Sequence, residues 1–218
     1  MQNPWLLLPD EPPFCLASDA ALLNGFNATA DDATRFYLEI MPEPFLGRPK
    51  ANVVLLNLNP GYSEEEQQYH DLDEYFRKAT LYNLGHQSQE YPFYFLDAAV
   101  RSPGHIWWQR RLRTLIERFS AGRLAQEVLC VEYFPYHSKA YDRGAPLVPS
   151  QEYSFDLVRA AIRRSAVIIS MRAADLWLAA VPELAGANMY RLNSSQSIYL
   201  TENNCPAGYA AVVDALAK

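Results

Sequence analysis

Two hydrophobic periods alternate along this chain, and their order predicts a sheet wrapped by helices. Asn52-Val53-Val54-Leu55-Leu56-Asn57-Leu58-Asn59-Pro60-Gly61 is an apolar run cut off by Asn-Pro-Gly. An unbroken run of Val and Leu suits a strand buried on both faces of a parallel sheet, and Pro-Gly stops it. Glu127 to Pro135, Ala166 to Ser170 and Met189 to Leu192 repeat the pattern more briefly. Between these runs the period changes. Trp108, Leu112, Leu115, Ile116 and Phe119 form one apolar stripe of a helix running from His105 toward Gly122. Ser150 is placed to cap a second helix, with Phe155, Val158 and Ile162 on its buried stripe and Arg159, Arg163 and Arg164 outside. Arg172 to Ala180 reads as a third, and Pro206 occupies the first turn of a closing helix through Leu216.

Strands alternating with helices imply right-handed crossovers and helices on both faces of the sheet. The expected fold class is therefore α/β, a three-layer α/β/α sandwich around a central, mainly parallel four-stranded sheet. With 218 residues, half of them hydrophobic, one domain spanning 1–218 can bury its own core. Prolines at 4, 9, 12, 13, 42, 44 and 49 break residues 1–50 into short pieces, with room for a helix or two between Asp19 and Met41. This segment is read as an arm wrapped around a core of residues 51–218. Residues 62–105 are polar and aromatic, with Glu64-Glu65-Glu66 and the cluster Tyr91-Pro92-Phe93-Tyr94-Phe95. So long a connection predicts a binding lid or hidden short helices.

In open α/β sheets ligands collect at the carboxyl ends of the strands. The polar segments Asn57–Ser63, Glu132–Lys139, Ser170–Arg172 and Asn193–Ser197 are expected to gather at that edge. Glu132 is the odd residue among them, because a carboxylate in so apolar a run is costly to bury unless paired or hydrogen-bonded. A net charge of −6 and a pI near 5.2 argue against a broad basic surface for nucleic acid but leave room for a local site. Cys15, Cys130 and Cys205 are far apart and form no CxxC pair, so no disulfide framework, zinc site or iron–sulfur cluster is indicated. No metal and no cofactor is expected, and a reducing, cytoplasmic setting fits. The apolar run Trp5-Leu6-Leu7-Leu8 lacks a basic leader and stops at Pro9, which predicts neither a signal peptide nor a membrane span. A monomer is expected.

The ordered set of segments resembles the uracil-DNA glycosylase superfamily. That family's first motif is a strand ending Gly-x-Asn/Asp-Pro-Gly/Tyr, and Asn57-Leu58-Asn59-Pro60-Gly61 matches it with Asn57 in place of Gly. Its second hallmark is a strand ending His/Asn-Pro-Ser with a Ser-bearing loop before a closing helix. Asn193-Ser194-Ser195-Gln196-Ser197 lies there, without the proline. The resemblance spans residues 50 to 216 and implies an enzyme that flips a nucleotide out of a DNA stack and hydrolyses its N-glycosidic bond. It assigns Asn59 to placing the attacking water and Asn193 to the base carbonyl or the water. Pro60, Gly61, Ser194, Ser195 and Ser197 are assigned to phosphate contacts, and Phe93 to stacking on the base; apart from the resemblance, His137, past the strand end beside Ser138 and Lys139, reads as an acid or a phosphate contact. Asn57 and Glu132 fall beside the base edge.

Glu132 occupies the place where uracil-removing members carry an Asn. An ionised carboxylate only accepts hydrogen bonds and suits a cytosine or guanine edge; a carboxyl held protonated by burial suits uracil. Both readings stand on the residues alone. The partner is DNA or a nucleotide in either case. A protein on the same scaffold that binds without cutting is the alternative function, and an unrelated hydrolase built on His137 and Ser138 is a third.

Overall fold

The computed structural model describes residues 2–194 and 196–218. Five strands form one sheet: β1 (Phe45–Leu46), β2 (Val53–Asn57), β3 (Val128–Glu132), β4 (Val167–Ser170) and β5 (Met189–Arg191), in the order β1-β3-β2-β4-β5. β2, β3, β4 and β5 are parallel, while β1 runs antiparallel to β3. The mainly parallel α/β sheet is the expected one, but it has five strands where four were read. The fifth comes from the proline-rich arm. Its two residues, Phe45 and Leu46, sit between Pro44 and Gly47 and are too short to show a period; only pairing with Val131 and Cys130 makes them a strand. Gly47 is required at the turn that follows, because its φ of +108° and its closeness to the Val128 carbonyl exclude a side chain.

Every residue of β2 and β3 is buried, as a strand covered on both faces must be. Alternation along the strands divides the core in two. Val54, Leu56, Leu129, Val131 and Ile168 face one layer, which holds Leu23 of α1 (Ala20–Asn27), Phe155 and Val158 of α7 (Gln151–Arg163) and Trp177 of α8 (Ala174–Ala180). Val53, Leu55, Val128, Cys130 and Ile169 face the other. There lie Phe76 of α3 (Glu74–Leu84), Trp108 of α4 (Pro103–Arg111), Leu115 of α5 (Arg113–Phe119), Leu124 of α6 (Ala121–Glu127) and Val212 of α9 (Pro206–Leu216). α2 (Glu64–Leu72), with α3, fills the connection read as a lid or as hidden helices.

The single helix expected from His105 onward is two helices. Leu112 leaves helical geometry at φ −107° and ψ 10°, ending α4. Trp108, Leu112 and Leu115 all stay buried across the break, so the hydrophobic stripe alone does not reveal it. Gly122, expected near the end of that helix, lies in the first turn of α6. At Ser150 the expected cap is replaced: its hydroxyl is unpartnered, and the Gln151 amide instead receives the Val148 N–H and donates to the Tyr133 carbonyl. Among the described residues no helix is long and apolar enough to cross a membrane.

Candidate functional site

The connection leaving β2 goes to β3 on one side, and that leaving β4 goes to β5 on the other. A crevice opens at the carboxyl ends where the connections diverge. It is a cavity of about 350 Å³, within the usual range for small-ligand sites. Its walls are Asn57 at the end of β2 with Leu58 to Ser63 after it, Glu132 and His137 to Tyr141 from the β3 side, Arg172 after β4, Glu43 from the arm, Glu66 from α2, Phe95, and Pro103, Gly104, Trp107 and Trp108 of α4.

Local backbone pairing puts these residues together. Beyond the sheet, the chains leaving β2 and β3 continue side by side: Leu58 accepts from Phe134 N–H, Pro60 from Ser138 N–H, and Ser138 from Tyr62 N–H. The arm adds a third rail, with Tyr37 donating to the His137 carbonyl and Glu43 to that of Pro135. Asn59 therefore stands next to Ser138. Its Nδ2 donates to Ser138 Oγ at 2.8 Å and to the Pro60 carbonyl at 3.1 Å, and Ser138 in turn donates to the Ala140 carbonyl. This chain of donors fixes the amide orientation and leaves Asn59 Oδ1 as the remaining acceptor at the cavity wall.

The buried end of the cavity is built on strand register. Asn57 and Glu132 are directly paired in β2 and β3, on the face shared with Leu55 and Cys130. Asn57 Nδ2 donates to Glu132 Oε1 at 2.9 Å, and the Cys130 thiol contacts the same oxygen at 3.7 Å. Trp177 Nε1 donates to the Asn57 carbonyl at 2.7 Å, locking the strand end. Asn57 Oδ1 and Glu132 Oε2 are both buried and have no protein partner. Burial, opposed by the Asn57 hydrogen bond, lifts the Glu132 pKa to about 8. At neutral pH the carboxyl is protonated, and with Oε1 accepting, the proton belongs on Oε2.

Two more carboxyls are buried nearby. Glu66 accepts from the Gly104 N–H at the start of α4 at 2.7 Å, yet burial and the neighbouring Glu43 charge raise its pKa to about 7. Burial also raises that of Glu43, against the pull of His137 and a hydrogen bond from Tyr94. His137 places Nδ1 2.8 Å from the Gly61 carbonyl and Nε2 3.0 Å from that of Met41; burial lowers its pKa, while Glu43 and the carbonyls oppose this. His70, on α2, is 3% exposed and neither ring nitrogen has a partner, so burial drives its pKa down to about 3. Cations occupy the outer end: Arg172 and Lys139 line the exposed rim, where Lys139 also bridges Asp32 and lies over the stacked Tyr37 and Tyr62 rings.

Of the site residues read from the sequence, Asn57, Asn59, Pro60, Gly61, Glu132 and His137 line this one cavity. Phe93 does not. It is fully buried edge-on to Trp108, and Phe95, two residues on, supplies the ring together with Trp107. The fourth strand tip also turns away. Asn193 and Ser197 are exposed, and Asn193, Ser194 and Ser197 are bound into a closed loop by Asn204, whose side chain receives the Ser194 N–H and donates to the Ser197 and Tyr199 carbonyls. β5 is the edge strand, so its loop lies beside α4 and α5, where Arg111 stacks between Trp107 and Tyr199, each 4.6 Å away. Ser195 lies outside the described residues. The sequence pattern does not mark Glu43, Glu66 or His70: each sits in a segment without period, and only the fold brings Glu43 and Glu66 to the cavity wall and His70 beside Glu43.

No family model, no curated protein and no solved structure matches this chain.

Proposed function

We propose that the cavity takes a single flipped-out nucleobase with a uracil-type imide edge, and that the protein is a glycosylase hydrolysing its N-glycosidic bond on a uracil-DNA glycosylase-like α/β/α scaffold. The Asn57–Glu132 pair carries this reading. With Glu132 protonated, the two free atoms form one acceptor, Asn57 Oδ1, beside one donor, Glu132 Oε2–H. Uracil's N3–H is flanked by a carbonyl on each side, so it satisfies such a pair in either order, whereas cytosine offers its donor and acceptor in one order only. Ionised Glu132 would present two acceptors and repel the uracil carbonyl.

The other groups have roles that follow from their chemistry. Phe95 and Trp107 form the aromatic wall on which a base stacks, a contact worth about 1–3 kcal/mol per base in single-strand binders. Asn59 Oδ1 accepts a hydrogen bond from the attacking water. The Glu132 proton is available to a base oxygen that gains negative charge as the bond to the sugar breaks. Arg172 and Lys139 at the rim, with Arg110, Arg111 and Arg113 beside Tyr199, supply local positive charge to a phosphate backbone although the whole chain is acidic.

Oligonucleotides carrying uracil, hypoxanthine, xanthine or an alkylated base, incubated with the protein and then treated with alkali, test this. Strand scission at uracil, lost in Asn59→Ala, is expected. A second reading, base binding without cleavage, is favoured by one observation: Asn193 is turned out of the cavity. Uracil-selective binding with no scission by wild type selects it.

A further inference from the structure

Outside the Asn57–Glu132 pair, three side chains from segments far apart in sequence come together: Glu43 of the arm and His137 after β3, which line the cavity, and His70 of α2, buried beside Glu43. One ligand atom from each lies within 4.8 Å of the others, and all three residues are buried. We propose that Glu43, His70 and His137 hold a divalent transition-metal ion of the zinc class, clamping the arm and α2 onto the loop that carries Ser138.

Three observations point there. First, His70 has neither ring nitrogen hydrogen-bonded although it is 3% exposed. A buried imidazole without a partner is rare in folded proteins, and Nε2 stands 3.7 Å from Glu43 Oε1. Second, His137 lies between the Gly61 and Met41 carbonyls, and a neutral ring can donate to only one of them; donation from Nδ1 to Gly61 at 2.8 Å is the arrangement that fixes a ligating histidine and turns the Nε2 lone pair to a metal. In that tautomer the lone pair faces the Met41 carbonyl at 3.0 Å and Glu43 Oε1 at 4.0 Å. A cation bound there satisfies all three acceptors at once. Third, the Glu43 carboxyl is steadied from behind by the Tyr94 hydroxyl at 3.3 Å.

Two imidazoles and one carboxylate select a zinc-like or iron-like ion over calcium or magnesium. Bonds of about 2.0–2.2 Å to such an ion need the three groups to draw together by roughly 1 Å, within reach of side-chain rotation. The Met41 carbonyl is placed to be a fourth ligand. Glu66, close enough for its charge to act on Glu43, adds a second carboxyl to offset the ion. The site does not depend on the nucleobase reading, since neither Asn57 nor Glu132 belongs to it.

Chelator-treated full-length protein titrated with Zn²⁺ by calorimetry, and with Co²⁺ by visible absorption, tests the proposal. One ion per chain, a higher Tm with Zn²⁺ and Co²⁺ bands of nitrogen and oxygen coordination are expected. His70→Leu, which removes the ring nitrogens, and Glu43→Gln, which keeps the size of the side chain, are each expected to weaken binding at least tenfold and abolish the gain in Tm. If His70→Leu fails to fold, Glu43→Gln decides. No stoichiometric uptake, or uptake that survives substitution, overturns the proposal. Uracil selectivity is read in a separate assay, so failure of either idea is distinguishable from failure of the other.

Discussion

At the scale of single residues, Ser138 and Asn59 make a matched test. Asn59 Oδ1 is the only group assigned to the water, so Asn59→Ala is expected to lower base release by about 10² or more with little change in affinity for the oligonucleotide. The role expected of Ser138 is to position the Asn59 amide, to which it is bonded at 2.8 Å. Removing one such hydrogen bond costs about 1 kcal/mol, so Ser138→Ala is expected to reduce turnover by roughly five- to tenfold and leave KM unchanged in steady-state assays. Asn59 was legible in the sequence because Asn-Pro-Gly ends a buried run. The position of Ser138 was not, since 79 residues separate the two and only the continued pairing of the chains beyond the sheet makes them neighbours. The aromatic ring at the cavity lies two residues from the expected one for a similar reason. In an aromatic run with no period, burial in the core and exposure to a cavity look alike, and the turn at Tyr94–Leu96 decides between Phe93 and Phe95.

At the scale of elements, α4 is held against the cavity by one close approach. A Cβ on Gly104 would lie 2.5 Å from the Phe95 ring, while the Gly104 N–H donates to Glu66. Gly104→Ala must push α4 off Phe95 and lengthen that hydrogen bond. A loss of about 1–3 kcal/mol follows from overpacking of this kind, read as a lower midpoint in denaturant with an unchanged slope. The strands of the sheet centre and α9 were readable because buried runs and a proline-led helix leave strong patterns. β1 and the break at Leu112 were not. A two-residue strand has no period, and a hydrophobic stripe can pass through a change of helix without interruption.

For the molecule as a whole, buried titratable groups predict how stability depends on pH. Glu132 and Glu66 have pKa values raised from 4.5 to about 8 and about 7. Below pH 4.5 the folded and unfolded chains both carry these protons. As pH rises further, the unfolded chain releases them first, so stability falls until the folded values are passed. His70 and His86 act in the opposite sense, lowered from 6.5 to about 3 and about 4. Their contribution is complete above 6.5 and is lost as pH falls through those values. For chelator-treated protein a plateau between roughly pH 4.5 and 6.5 is expected, with Tm falling on both sides. Glu132→Gln is expected to flatten the alkaline arm in thermal scans while leaving the acid arm in place. Net charge and composition were legible from the start; they argue against a broad basic surface and leave room for a local basic site. The concentration of carboxyls and histidines at one cavity was not, because the fold alone places residues 43, 66, 70, 132 and 137 side by side.

The most direct measurement compares the affinity of the Asn59→Ala protein for matched single-stranded oligonucleotides carrying one uracil or one cytosine, at about pH 6.5 and about pH 9, with and without Glu132→Gln. The predicted result is a preference for uracil at the lower pH that fades at the higher one as Glu132 ionises, and that persists at both when position 132 is Gln. Equal affinity for the two bases at the lower pH, or a preference untouched by Asn57→Ala together with Glu132→Ala, would contradict the account.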